Sequence, residues 1–131
     1  MKIVMLIAFI LAIVHADKII TGKVFRDHLE ECGKVLPKVL GRQKELDIGL
    51  IFCATKRVGG IDINNALNRN KVIANCKAIC ISDPVKAEQC KDICNTCMDE
   101  GFKVPGSNFI KTIRAIQCAV SHDLISLIDK E

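Results

Sequence analysis

Apolar residues recur at intervals of three and four along most of the chain, whereas strict alternation bounded by turn residues is scarce, and this pattern predicts an all-α protein. A first helix is predicted over residues 23–36, with Phe25, Leu29, Cys32 and Leu36 on one face and Pro37 as its stop. A second, over residues 45–58, aligns Leu46, Leu50 and Cys53 and ends at Gly59-Gly60. Asp62 is a candidate cap for a third helix that turns Ala66, Ile73, Cys76 and Cys80 inward, with room for an interruption near Asn68-Arg69-Asn70. Asp83 followed by Pro84 is a strong start for a fourth, which presents Cys90, Cys94 and Cys97 along one face. A loop is expected over residues 101–106. Ser107 or Asn108 then caps a fifth helix carrying Phe109, Ile113, Ile116 and Val120, and a short sixth covers residues 123–129. The pattern thus predicts a compact bundle of five to six helices.

The first residues stand apart from this periodicity. Residues 3–14 form an unbroken apolar run after Met1 and Lys2, shorter than the ~20 residues that a spanning helix needs. Val14-His15-Ala16 suits a signal peptidase, so residues 1–16 read as a cleaved signal peptide and residues 17–131 as one secreted, extracellular domain. With no second run of that kind, no internal repeat and no low-complexity stretch, neither a second domain nor stable membrane insertion is expected.

Composition sharpens the picture. Half of the 131 residues are apolar and the net charge is only +4, which excludes a disordered chain. The charge is spread without a Lys/Arg cluster or interleaved aromatics, so nucleic-acid binding is not expected. Cys is the informative residue. There are eight, all after position 16, and an even count in a small exported chain points to disulfides. A metal site would want paired knuckles or Cys/His clusters, and only Cys94-Asn95-Thr96-Cys97 has that spacing, so no metal and no cofactor are expected.

Every Cys falls on a predicted helix, so the bridges should tie helix to helix. Cys32 with Cys53 and Cys97 with Cys118 are the favoured pairs, since each joins facing stripes of consecutive antiparallel helices. The remaining four, Cys76, Cys80, Cys90 and Cys94, form two i, i+4 pairs. A nested hairpin would join Cys80 to Cys90 and Cys76 to Cys94, yet the turn set by Asp83-Pro84 places Cys76 opposite Cys90, and the pairing stays open.

Catalytic chemistry finds no support. Ser121-His122-Asp123 holds the residue types of a triad, but consecutive positions on a helix point in different directions, and the three read as a helix break with its cap. No enzyme is expected.

The ordered set Leu29-Glu30-Glu31-Cys32 with Leu36-Pro37-Lys38, then Cys53-Ala54 with Arg57 and Gly59, then Asp83-Pro84 ahead of Cys90, then Cys97 and Cys118-Ala119, resembles the fire-ant venom allergens of the second and fourth groups. The resemblance covers roughly residues 27–120. It implies a secreted, all-helical venom protein related in fold to insect odorant- and pheromone-binding proteins, with an internal apolar cavity for small hydrophobic ligands and no catalytic residues. Six Cys match that framework, namely Cys32, Cys53, Cys76, Cys90, Cys97 and Cys118, while Cys80 and Cys94 are additional and imply an extra bridge, made together or by exchange of partners. Family dimers can be joined by a further Cys soon after the first. Pro37-Lys38-Val39 occupies that place here, so any pairing of chains would be a non-covalent homodimer. One extra residue between Cys76 and Asp83 also departs from the pattern.

Two functions are expected from these features. One is a carrier of small hydrophobic ligands, with Phe25, Leu29, Phe52, Ile73, Phe109, Ile113, Ile116 and Val120 as candidate cavity residues. The other is a disulfide-rich helical toxin or inhibitor that meets a protein target with its surface.

Overall fold

The computed structural model describes residues 20–35 and 43–130. Among the described residues five α-helices run in order, α1 (Gly22–Val35), α2 (Gln43–Arg57), α3 (Arg69–Ile79), α4 (Pro84–Lys103) and α5 (Asn108–Ser121), and a 3-10 turn (Leu124–Leu127) follows. The fold is all-α; an isolated antiparallel bridge between Ile61 and Leu67 is the one strand-like pairing among the described residues. The signal-peptide segment 1–16, the Leu36 and Pro37 stop of the first helix, Pro37-Lys38-Val39 and the side chain of Leu46 lie outside the described residues.

Local chemistry sets the helix ends. Thr21 accepts the Val24 amide at 3.1 Å to start α1. Asp83 accepts the Val85 and Lys86 amides ahead of Pro84 in α4, and Ser107 accepts the Ile110 amide in α5. The third helix departs from expectation. Asp62 does not cap it; its carboxylate accepts the Asn64 and Ala66 amides at 2.8 and 2.9 Å and so closes a turn, with Asn65 in the left-handed region at φ 63°. Asn68 is the cap, accepting the Lys71 amide at 3.1 Å. A short polar side chain satisfied by its own turn has nothing left to offer a helix.

Gly101 is a second correction. The sequence pattern makes it the start of a loop, yet it lies buried inside α4, where a Cβ would stand 2.5 Å from the Lys111 carbonyl and 2.9 Å from Ala115 Cβ. The glycine is there to bring α4 and α5 close together, and the loop is confined to residues 104–107.

Three disulfides tie neighbours in sequence: Cys32 to Cys53 joins α1 to α2, Cys76 to Cys90 joins α3 to α4, and Cys97 to Cys118 joins α4 to α5. Each closes a loop long enough for about 3 kcal/mol of stabilisation through the unfolded chain. The C-terminal segment is held from two sides. Arg26 on α1 donates to the carbonyls of Ile125, Ile128 and Asp129, and the Asp129 amide donates to the Ile79 carbonyl at 2.8 Å.

Candidate ligand cavity

Two adjoining apolar cavities, each of about 60 Å³, lie between the helices. Ile51 and Thr55 of α2, Val72 of α3, Cys94 of α4 and Leu124 face both. The first cavity is completed by the α4–α5 side, including Met98, Ala115, Ile116 and Ala119, and the second by Phe25, Val58, Asn75, Ile79, Ile125 and Ile128.

Position on the helices explains this lining. Ile51 and Ala54 of α2 and Val58 just past its end recur at three and four, and the first two are buried. Ile125 and Ile128 stand three apart on the terminal turn and close the second cavity from the C-terminal side. Among these apolar walls, Thr55 and Asn75 bring polar groups, and Asn75 Nδ2 donates to the Val58 carbonyl at 3.4 Å. A mostly apolar space with a few fixed polar groups recognises a guest by shape and burial and uses the polar groups for orientation.

Of the sequence-derived candidates, Phe25 and Ile116 are buried and line the second and first cavity respectively. Leu29, Phe52, Ile73 and Val120 pack against the core, and Ile113 is half-buried, without lining either space. Phe109 is 48% exposed and meets Phe52 edge-on, with ring centroids 5.5 Å apart. The residues that sequence reasoning missed are chiefly Ile51, Val72, Met98 and Leu124. Residues 48–54 are apolar apart from Gly49, so α2 offers two plausible stripes, and the one beginning at Ile51 faces the cavities.

Cysteines form part of these walls, Cys97 in the first cavity, Cys76 in the second and Cys94 in both. Cys80 and Cys94 are thiols, both buried. Burial pushes the Cys94 thiol up to about 12, with the nearby Cys80 adding to the shift. Burial likewise pushes Cys80 up to about 11, reinforced by the Asp129 charge and opposed by Lys86 and Arg26. Both groups are therefore protonated at neutral pH and poor nucleophiles. The sulfurs of Cys76, Cys90 and Cys94 lie within 4.8 Å of one another, as do the donors of Cys97, Cys118 and His122. In each group two sulfurs are already joined as a disulfide, which leaves too few ligands for a zinc site.

Ser121 Oγ donates to the Gln117 carbonyl at 2.9 Å, inside its own helix, and Asp123 turns left-handed at φ 57° after the capping His122. These residues end a helix. No described helix is long and apolar enough to cross a membrane.

The model of the ant venom allergen Sol i 2 family matches residues 31–122. A protein named Venom allergen 2 from Solenopsis saevissima is 26% identical over 98 residues, 73% of this chain and 71% of that protein. A protein of the same name from Solenopsis richteri is 29% identical over 99 residues, 73% of this chain and 82% of that one. No solved structure matches.

Proposed function

The chain belongs to the ant venom allergen Sol i 2 family, and from that premise we propose that it is a secreted venom protein that shelters a small hydrophobic guest between disulfide-tied helices, without chemical transformation. Residues 1–16 direct export and residues 17–131 are the working domain, of the odorant-binding type. The observation that supports this reading is the pair of adjoining apolar cavities that share Ile51, Thr55, Val72, Cys94 and Leu124. A dry apolar cavity of about 150 Å³ suffices for a benzene-sized guest. Each space, at about 60 Å³, is smaller than that, and both are far below the ~300 Å³ at which drug-sized pockets begin. Compact rings and short chains are therefore the guests of choice.

A second reading, a toxin or inhibitor acting on a protein target, draws on a different observation. Ile63 is 90% exposed, Phe109 and Ile110 are each about half exposed, and the turn of Ile63 is fastened to α5 by Asn108 and Thr112, which donate to the carbonyls of Asn64 and Asn65. Such a patch suits a protein surface.

Titration with benzene and with alkanols and hydrocarbons of increasing size, followed by methyl NMR, separates the two readings. Saturable uptake by the fully oxidised, monodisperse protein, strongest for the compact compounds, supports the carrier. Absence of uptake overturns it.

A further inference from the structure

Four of the eight cysteines converge between α3 and α4. Cys76 lies on α3 and Cys80 caps its end one turn later, while Cys90 and Cys94 stand one turn apart on α4, and all four are buried. Cys76 is bonded to Cys90 with Cα atoms 5.8 Å apart, yet the Cys94 sulfur lies 2.7 Å from the Cys76 sulfur. Two sulfurs of α4 thus contend for one sulfur of α3.

The register of the hairpin decides which second bridge can form once Cys94 has taken Cys76. In an antiparallel pair of helices, residues that face each other have numbers of constant sum. Cys76 with Cys94 and Cys80 with Cys90 share one sum, so both pairs belong to a single register. That register is displaced from the Cys76–Cys90 register by four residues, about one turn or ~6 Å along the axis. Along ideal helices, joining Cys80 to Cys94 while Cys76 keeps Cys90 would instead combine two registers eight residues, or about 12 Å, apart.

We propose that these four cysteines form a two-bridge register lock, in which Cys94 takes Cys76 from Cys90 and Cys90 then closes onto Cys80. In the first step the Cys94 thiol gives up its proton and its thiolate bonds to the Cys76 sulfur. The Cys76–Cys90 bond breaks, and Cys90 departs as a thiolate that takes up the proton, with no net oxidation. In the second step the Cys80 and Cys90 thiols lose two electrons and two protons to an external disulfide, such as oxidised glutathione, which becomes two thiols. The high thiol pKa values make the first step slow near neutrality and faster as pH rises, because the thiolate is the attacking species. The lock has a consequence for the interior, since Cys94 faces both cavities and Cys76 the second. The pairing itself holds whether or not a guest binds.

Tryptic mapping tests it directly. Lys77 separates Cys76 from Cys80, Lys86 separates Cys80 from Cys90, and Lys91 separates Cys90 from Cys94, so the four sulfurs fall on peptides 72–77, 78–86, 87–91 and 92–103. The chain is oxidised with glutathione disulfide, alkylated in denaturant and digested without reduction. The expected map joins 72–77 to 92–103, which keeps its link through Cys97 to Cys118, joins 78–86 to 87–91, and shows no alkylated Cys. A map that joins 72–77 to 87–91 with Cys80 and Cys94 alkylated, or 78–86 to 92–103, overturns the proposal. The variant Cys80→Ser stops after the first step and should yield both 72–77 to 87–91 and 72–77 to 92–103 links, the latter rising with pH. Only the former, at every pH, contradicts the exchange.

Discussion

Arg26 of α1 reaches across to Asp129 at the far end of the chain, its Nε donating to the Asp129 carbonyl at 3.1 Å while its Nη2 holds the carbonyls of Ile128 and Ile125 at 2.7 and 3.1 Å. One guanidinium thereby gathers three backbone acceptors of a segment that closes the second cavity. Hydrogen bonds from a charged donor are worth ~1.5–3 kcal/mol each when buried, and less when part of the group meets water. Arg26→Met should lower stability by about 2–3 kcal/mol overall in urea unfolding and make residues 124–129 exchange amide hydrogens far faster than α4. Equal protection of that segment in both proteins would show that the clamp is not what holds it.

Asp129 supplies a pH dependence of its own. The Ser82 hydroxyl and amide donate to its carboxylate, and these bonds, with Lys86 and Arg26 nearby, hold its pKa below the ordinary value of 3.8. A carboxylate whose folded pKa is depressed contributes stability above its unfolded pKa, and that contribution is lost as pH falls through the lower folded value. The stability advantage of the wild type over Asp129→Asn should therefore be constant from about pH 5 to 7 and shrink below about pH 4. An advantage unchanged at about pH 2 would place its origin elsewhere.

Gly101 tests the packing of α4 on α5. A Cβ there would press on the Lys111 carbonyl and Ala115, neither of which is a flexible chain end. Gly101→Ala, which helix propensity alone would favour by ~1 kcal/mol, should instead destabilise by about 1–3 kcal/mol. A rise in melting temperature would contradict the close approach of the two helices.

Legibility in the sequence varies with the kind of signal. Asp83-Pro84 and Ser107 mark two helix starts because capping is a local bond between a side chain and amides a few residues away. Asp62 misleads for a related reason, since the same side chain can close a turn, and only the left-handed Asn65 beyond it reveals which use is made of it. Gly101 reads as punctuation but serves interhelical packing, a role set by Ala115 and Lys111, which are distant along the chain. The cavity is the least legible feature. Phe25 and Ile116 can be placed on inward faces, whereas the continuous apolar run around Ile51 hides its phase, and Leu124 sits on a turn too short to show a period.

Uptake of an apolar guest into the space between the helices is measured most directly by a benzene titration of the disulfide-intact protein. Methyl NMR would follow Ile51, Val72 and Leu124, which face both cavities, with the exposed Val35 as reference. Ile51→Ala serves as a companion that enlarges the shared wall at a cost of about 2–5 kcal/mol. Saturable shifts of the three interior methyls, an unmoved Val35 and tighter binding in the variant are the predicted result. Interior methyls that stay fixed in both proteins, or that drift in step with Val35, would contradict it.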